Sequence, residues 1–392
     1  SLMGPDGSLS SVVKADFDQI LSGKDVKNPM HLMGKIAWLL WQRYQAGAYP
    51  IAMVSMDNCS HNGDKLKEAV VSYVRKWVEA GACGQDFLEY LNNPEKVSFP
   101  LSMIDKITPR PDKNVVAMLE QDGFEDAELI ITDKNTYTAA FVNAEATQYL
   151  VIEDLFPNGR PPLEKGGIYF TDRETVDRVE KMKVCTCLNP LHTALAIFGC
   201  LLGYHTIWEE MKDDDLCTFV TKMGYDEGMP VVVNPQIIDP EEFIGEVLQK
   251  RLVNPFMPDT PQRIATDTSQ KLPIRFGETL KAYGRNCAEG LRYIPVVLAG
   301  YLRYLTGYND DMEAFELSPD PLLDELTEFM KRYAGAGKTA AAEELRPILG
   351  REDIFGVDLY EYGLAEKITA YFNEMNKEKG CVRKVLNSLR NQ

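Results

Sequence analysis

The sequence predicts an α/β domain followed by an all-helical domain. Residues 48–56 are an apolar run of strand length, residues 57–63 are a polar loop, and residues 64–80 have the apolar periodicity of an amphipathic helix. Such a strand–loop–helix unit is typical of open α/β sheets, in which ligands bind at the loops that leave the carboxyl ends of strands. Beyond residue 172 almost every segment is helical in pattern. We therefore predict one domain over residues 1–172 and a second over residues 173–392.

The other elements follow the same two patterns. An amphipathic helix over residues 33–46 precedes the first strand, and prolines punctuate residues 97–111, which excludes a long helix there. Short strands are predicted at residues 129–132, 138–142, 148–152 and 168–171. The second domain is predicted to contain helices over residues 173–204, 206–222, 240–252, 276–286, 289–306, 319–334, 338–348 and 359–378.

Composition limits the partners and the compartment. The 392 residues carry a formal net charge of −17, which argues against nucleic acid or an anionic membrane surface as a partner, because both favour clustered Lys and Arg. The eight cysteines show no disulfide-framework spacing, and no run of eighteen apolar residues is present. We expect a cytoplasmic protein that binds a small molecule, with no nucleic-acid or membrane partner. Whether it is a monomer or a dimer is left open.

The segment 181–205 is the strongest candidate for a catalytic site. It places Lys183, Asn189 and His192 on a helix that is otherwise almost wholly apolar and must therefore be largely buried. Buried Asn and His side chains are costly unless they are hydrogen-bonded, and burial lowers the pKa of an amine. The pattern favours a site that moves a proton. The alternative interpretation is that these are satisfied polar side chains of a core helix.

A metal site is disfavoured. Cys185 and Cys187 with His192 lack a fourth ligand at a usual zinc spacing, and the four histidines are too dispersed along the chain to form a ligand cluster. We therefore predict chemistry without a metal, and a metal-dependent hydrolase is a remote alternative.

Residues 254–276 are the one irregular stretch of the helical half. Three prolines precede Arg263, and Arg263, Asp267, Lys271 and Arg275 then follow at four-residue intervals. This spacing suits either a solvated helix face with alternating charge or an irregular wall that brings cations to a pocket.

Four segments, in order along the chain, resemble the long-chain mannitol dehydrogenase family. They are V-S-M-D-N-C-S-H-N-G-D at residues 54–64, S-M-I-D-K-I-T-P around Asp105, N-P-L-H-T-A-L from Asn189 with Lys183 upstream, and R-I-A-T-D-T-S-Q-K from Arg263. The family includes fructuronate and tagaturonate reductases and polyol 2-dehydrogenases. The resemblance implies a partial Rossmann-like dinucleotide-binding domain and a helical domain similar to the C-terminal domain of 6-phosphogluconate dehydrogenase.

The resemblance also implies an activity and the residues that perform it. It implies metal-independent hydride transfer between NAD or NADP and a ketose or keto-sugar acid, or the corresponding secondary alcohol. Lys183 would be the general acid/base, Asn189 and Asn58 would polarise the carbonyl, and His192 would hold a substrate hydroxyl. Substrate-binding positions would be Asp105, Arg263, Lys271 and Asn62, and cofactor-binding positions would be Ser55, Asp57 and Asn58.

The spacing of the lysine departs from the family pattern. Five residues separate Lys183 from Asn189, where the family has four, and on a regular helix the extra residue would turn the lysine away from Asn189 and His192. A π-bulge would restore the face, and Pro190 favours one because it cannot donate to the carbonyl of Thr186. We predict such a bulge with Lys183 as the base. Lys181 is the alternative.

The family's glycine-rich pyrophosphate loop is a second departure, since no G-x-G-x-x-G follows any predicted strand. We expect the chain to retain the substrate half and part of the cofactor site. Among substrates the basic residues Arg263, Lys271 and Arg275 favour fructuronate or mannonate, because they suit a carboxylate. Mannitol or another polyol is the alternative, and a non-catalytic binding or scaffold protein is the alternative of another class.

Overall fold

A computed structural model describes residues 2–3, 8–22, 28–133, 136–257 and 259–390. The chain divides into two compact units, the first formed by residues 1–105 and 148–180 and the second by residues 106–147 and 181–392. Residues 106–147 therefore belong to the same compact unit as the helices beyond residue 181. The domain limits predicted from the sequence, 1–172 and 173–392, stay a prediction.

The described residues form the following α-helices and strands. The helices are α1 Ser11–Leu21, α2 Leu32–Gln45, α3 Asn62–Glu79, α4 Gln85–Asn92, α5 Lys113–Gln121, α6 Arg173–Met182, α7 Asn189–Leu202, α8 Ile207–Glu210, α9 Asp214–Lys222, α10 Pro240–Glu246, α11 Pro261–Ile264, α12 Thr268–Leu272, α13 Glu278–Tyr283, α14 Tyr293–Leu305, α15 Leu323–Met330, α16 Arg346–Leu349, α17 Glu352–Phe355, α18 Ala365–Met375 and α19 Cys381–Arg390. The strands are β1 Ile51–Ala52, β2 Val97–Ser98, β3 Ser102–Asp105, β4 Ile130–Ile131, β5 Tyr137–Thr138, β6 Tyr149–Glu153 and β7 Tyr169–Thr171.

Two small sheets organise the first unit. Strand β1 pairs in parallel with β2, and β6 lies between antiparallel β3 and parallel β7. Asp105, the last residue of β3, lies opposite Tyr149. The predicted strand at 48–56 is paired only at its centre, because β2 offers a partner over two residues. The loop after β1 still leaves the carboxyl end of a strand in a parallel pair, as the sequence predicts.

Helix α3 anchors the core of the first unit. Val70, Tyr73, Val74 and Trp77 recur at three- and four-residue intervals on one face, and all four are fully buried. They pack with side chains of α1, α2 and α4 in one hydrophobic cluster. The register of this helix fixes the loop that precedes it, which carries several predicted site residues.

The second unit is built on two buried helices. Helix α14 is buried at every residue, and α7 is buried at all but a few positions. Both are too apolar to face solvent, so neighbouring helices cover them, α14 packing on α7 and α18. Among the described residues, the run Arg173–Leu202 is long and apolar enough to cross a membrane, but most of its apolar window is buried inside the protein, as in a core helix.

Several predicted continuous helices are interrupted. The described residues contain π-helical segments at Lys183–Cys187, Met223–Gly228, Val247–Arg251 and Pro273–Gly277. The predicted helix at 338–348 is a 3-10 turn at Ala342–Leu345 that leads into α16. Helices α1, α4, α5, α11, α12, α17 and α19 were not predicted from the sequence. Of these, α5 has no buried residue, so it lacks the core-facing stripe that a sequence reading relies on.

Candidate active site

The predicted bulge is present in front of α7. Residues Lys183–Cys187 are π-helical, and the N–H of Leu188 donates to the carbonyl oxygen of Lys183, five residues earlier, at 3.1 Å. Leu188 then breaks the helical path with φ −128° and ψ −62°, and α7 restarts at Asn189 with proline as its second residue. The carbonyl of Cys185 accepts a hydrogen bond from the hydroxyl of Thr279 at 3.0 Å. The bulge is thus part of the packed structure and not a frayed end.

The bulge distinguishes the two candidate lysines. Lys183, its first residue, is only 5% exposed, whereas Lys181 lies on the exposed last turn of α6. Asn189 is half-buried at the first residue of α7. Burial favours the neutral form of an amine, so of the two positions Lys183 is the one whose surroundings suit proton transfer.

His192 lies one turn into α7 beside an acidic partner. Its Nε2 is 3.7 Å from Oδ2 of Asp259, and the carbonyl oxygen of Asp259 is fixed by the N–H of Ile207 at 2.9 Å. Apolar side chains, including Leu188, Trp208 and Met257, line the small cavity at the ring. Burial lowers the pKa of His192 to about 4, against the opposing effect of the Asp259 carboxylate. The imidazole is therefore neutral near pH 7 and can exchange hydrogen bonds with a hydroxyl.

Asp259 was not among the predicted site residues. It also pairs with the guanidinium of Arg263, which lies four positions later in the chain. That i, i+4 spacing of opposite charges was the available signal. Arg263 itself is largely exposed at its side chain and is occupied by this carboxylate.

The stretch that carries the predicted cations is irregular, as one of the two interpretations required. Helix α11 ends at Ile264, Asp267 adopts a left-handed conformation with φ 55°, and α12 runs directly into the π-helical segment Pro273–Gly277. Pro258, within this stretch, lies outside the described residues. The four charged residues therefore do not form one regular helix face.

Lys271 lies on α12, and Arg275 lies on the π-helical segment Pro273–Gly277 that follows it. The ammonium of Lys271 donates to the carbonyl oxygens of Ile264, at 3.0 Å, and of Thr266. Burial lowers the pKa of Lys271 to about 8, and the neighbouring positive charge of Arg275 adds to this effect. The guanidinium of Arg275 donates to the hydroxyl of Thr193, next to His192, at 2.6 Å. In the second unit, Arg275 therefore lies near both Lys271 and His192.

The remaining predicted residues lie in the first unit, around the loop after β1. Asn62 is 2% exposed, and its amide donates to the carbonyl of Asp57 at 2.9 Å and to Ser102 Oγ at 2.8 Å. Its Oδ1 accepts from the N–H of Ser102 at 3.1 Å. The side chain of Asn62 therefore fixes the loop to β3, while Asn58 at the tip of the loop is exposed.

Close packing also holds this loop. A Cβ on Gly63 would lie 2.5 Å from the carbonyl oxygen of Pro100, so only glycine allows α3 to begin so near that segment. Ser55 Oγ accepts a long hydrogen bond of 3.4 Å from the N–H of Asp57, and Asp105 is buried at the end of β3. The roles predicted for Ser55, Asp57, Asn58 and Asp105 stay predictions.

A buried ion pair in the second unit was not foreseen. Arg251, on the π-helical segment after α10, donates to both carboxylate oxygens of Glu145, at 2.8 and 2.9 Å. Glu145 also accepts from the N–H of Ile107 at 2.6 Å. Both Arg251 and Ile107 line the cavity at His192. The partners are 106 positions apart in the chain, so the sequence contained no signal of their pairing.

Models of two protein-family domains match most of the chain. Residues 5–165 match the Mannitol dehydrogenase Rossmann domain, and residues 175–376 match the Mannitol dehydrogenase C-terminal domain. The chain is 50% identical to a D-mannonate oxidoreductase of Thermotoga maritima over 379 residues, which cover 94% of this chain and 69% of that protein. It is 28% identical to a mannitol 2-dehydrogenase of Phaeosphaeria nodorum, covering 82% of this chain and 50% of the relative.

A solved structure shares the fold. The mannitol 2-dehydrogenase of Pseudomonas fluorescens, in a ternary complex with NAD and D-mannitol, superposes with a TM-score of 0.67 at 24% identity, covering 98% of this chain and 70% of that one. The predicted α/β domain with a following helical domain and the predicted enzyme class are both confirmed. The chain belongs to the mannitol dehydrogenase family of oxidoreductases.

Proposed function

We propose that the protein interconverts a keto-sugar acid and its secondary alcohol, with fructuronate and mannonate as the favoured pair. The observation that carries the proposal is the 50% identity, across 94% of the chain, to a protein named D-mannonate oxidoreductase. Relatives named mannitol 2-dehydrogenase are far more distant in sequence. The positive groups near His192 support a substrate that bears a carboxylate.

Lys183 is the proposed general acid/base. In the reductive direction its ammonium gives a proton to the ketone oxygen as that oxygen becomes a hydroxyl, and in the oxidative direction the neutral amine takes the proton back. Its position at the start of the π-helical segment places it in a buried environment, as this role requires. Asn189, six residues on, is the proposed amide donor to the oxygen on which negative charge develops.

His192 is proposed to hold a substrate hydroxyl. The neutral imidazole offers one donor and one acceptor, so it can pair with a hydroxyl in either direction. Asp259, 3.7 Å from the ring, would orient it. Arg263 and Lys271 are also proposed to bind the substrate. Both already bind groups of the protein, a carboxylate and two backbone carbonyls respectively.

The coenzyme is proposed to be NAD or NADP, which supplies or accepts the hydride. Ser55, Asp57 and Asn58 are the residues of this chain proposed to contact it. They suit this role because they leave the carboxyl end of β1, and the buried amide of Asn62 holds their loop in place. We further propose a cytoplasmic enzyme that needs no metal.

A polyol 2-dehydrogenase is the second candidate, favoured by the relatives and the solved structure of that name. A panel assay separates the candidates. The purified protein is given fructuronate, tagaturonate or fructose with NADH or NADPH, and oxidation of the coenzyme is followed in the presence and absence of EDTA. Turnover of a uronate well above fructose, unaffected by EDTA, is expected. Preference for fructose would favour the polyol activity, and no turnover of any substrate would favour a non-catalytic protein.

A further inference from the structure

Arg275 differs from the other buried arginines of the second unit. Arg251 is paired with the carboxylate of Glu145, and Arg303 donates to the hydroxyl of Thr306 and to two backbone carbonyls. Within the described part of the chain, Arg275 makes a single hydrogen bond, to the neutral hydroxyl of Thr193. Among the residues that the structure describes, no carboxylate forms an ion pair with it.

This leaves a half-buried positive charge without a counter-charge. Burial lowers the pKa of Arg275 to about 10, yet the guanidinium remains charged at neutral pH. A buried charge is costly unless it is paired and hydrogen-bonded. Arg275 is partly exposed, and among the described residues its other N–H groups have no hydrogen-bond partner in the protein. They can therefore donate to a ligand.

The surroundings of Arg275 add positive charge. Its positive charge lowers the pKa of both Lys271 and His192, so each of these groups lies within electrostatic range of Arg275. Lys271 is bound to the carbonyls of its own loop, and Arg263 is bound to Asp259. Arg275 differs from both because its partner among the described residues is one neutral hydroxyl, that of Thr193.

Arg275 is also connected to the proposed catalytic helix. Thr193, which accepts its hydrogen bond, donates in turn to the carbonyl oxygen of Asn189 at 2.9 Å. Four residues after Arg275, Thr279 binds the carbonyl of Cys185 within the bulge that begins at Lys183. The guanidinium thus contacts α7 through Thr193, and Thr279, four residues later, ties the same stretch of chain to the bulge.

We propose that Arg275 binds the carboxylate of the sugar-acid substrate and so sets the preference of the site for sugar acids over polyols of the same length. The proposal rests on the proposed function. A guanidinium binds a carboxylate through two parallel hydrogen bonds, an arrangement that a hydroxymethyl group cannot reproduce. The site then prefers sugar acids because their carboxylate accepts hydrogen bonds from the Arg275 guanidinium, which forms no ion pair with a carboxylate of the described residues.

The matched ligands D-mannonate and D-mannitol test the proposal, because they differ only in carrying a carboxylate or a hydroxymethyl group at one end. Dissociation constants for both are measured by calorimetry, and kcat/KM for the oxidation of both is measured with NAD, on the wild type and on Arg275→Gln and Arg275→Lys. Arg285→Gln is the control, since it removes an arginine that is exposed and paired with Glu361 in the same unit. Melting temperatures confirm that each variant is folded.

The expected result is a loss of mannonate affinity of about 10- to 200-fold in Arg275→Gln, the range of a hydrogen bond to a charged group. Mannitol affinity should change by no more than about two-fold, since no charged bond to it is lost. Arg275→Lys should fall between, because a lysine keeps the charge but loses the paired geometry. If Arg275→Gln does not fold, the mannonate and mannitol affinities of Arg275→Lys test the proposal in its place.

Equal losses for mannonate and mannitol would overturn the proposal, because they would show that Arg275 only supports Thr193 and α7. Unchanged mannonate affinity would overturn it as well, while leaving the proposed oxidoreductase intact if the wild type still oxidises mannonate. A wild type that binds mannitol but not mannonate would refute the sugar-acid substrate itself, and Arg275 as its anchor with it.

Discussion

The buried pair of Arg251 and Glu145 gives the sharpest stability prediction. The two side chains are 3% and 2% exposed and share two hydrogen bonds of 2.8 and 2.9 Å. Removing Arg251 leaves the Glu145 carboxylate buried without this cation, which costs about 3–5 kcal/mol. Glu145→Leu and Arg251→Met each replace one charged side chain by an apolar one. Arg251→Met should lower the free energy of unfolding by about this amount, and Glu145→Leu should lower it as well.

The double variant Glu145→Leu/Arg251→Met distinguishes the pair from its surroundings. Replacing both charges by apolar groups removes the uncompensated charge, so the double variant should be at least as stable as either single variant. Urea unfolding, followed by circular dichroism, gives the three free energies. The N–H of Ile107 loses an acceptor when Glu145 is replaced, so recovery to the wild-type value is not expected. Additive losses in the double variant would refute the coupling of the two charges.

Two further predictions concern His192 and Asn62. Because the pKa of His192 is about 4 in the folded protein and about 6.5 in the unfolded chain, the folded state binds fewer protons between these values. Its contribution to stability is full above pH 6.5 and is lost as the pH falls toward 4, by at most roughly 1.4 kcal/mol per pH unit. His192→Asn should flatten this part of the stability profile measured by urea unfolding, and an unchanged slope would contradict the assignment. Asn62→Ala removes the amide that fixes the β1 loop to Ser102, so it should destabilise the protein by about 1–3 kcal/mol. A wild-type melting temperature in Asn62→Asp, which keeps an acceptor oxygen but loses the amide donor, would contradict a role for the donor.

The bulge at Lys183 could be predicted because its causes are local. An extra residue between the lysine and Asn189, together with a proline that cannot complete the helical ladder, already indicates an irregular turn. The irregular course of the stretch around Asp267 was predicted in the same way from its prolines. Both features depend on neighbours within one or two turns of the chain.

Other features depend on contacts that the sequence does not encode locally. The partner of Arg251 is distant along the chain, and the orienting carboxylate of His192, Asp259, becomes recognisable only when the two segments are seen together. Similarly, a buried Asn62 in a polar loop reads as an ordinary turn residue, because its acceptors at Ser102 lie on another strand. Polar side chains that meet only in the tertiary structure could therefore not be paired from the sequence.

The position of the acid/base is the central claim, and one comparison tests it most directly. Reduction of fructuronate is measured with Lys183→Ala and Lys181→Ala, together with the wild type. Lys183 is buried at the start of the π-helical segment and Lys181 is exposed two residues earlier, so only Lys183→Ala should abolish turnover, by at least about 100-fold in kcat. Coenzyme binding should be retained in both variants. Loss of turnover in Lys181→Ala with activity retained in Lys183→Ala would contradict the account.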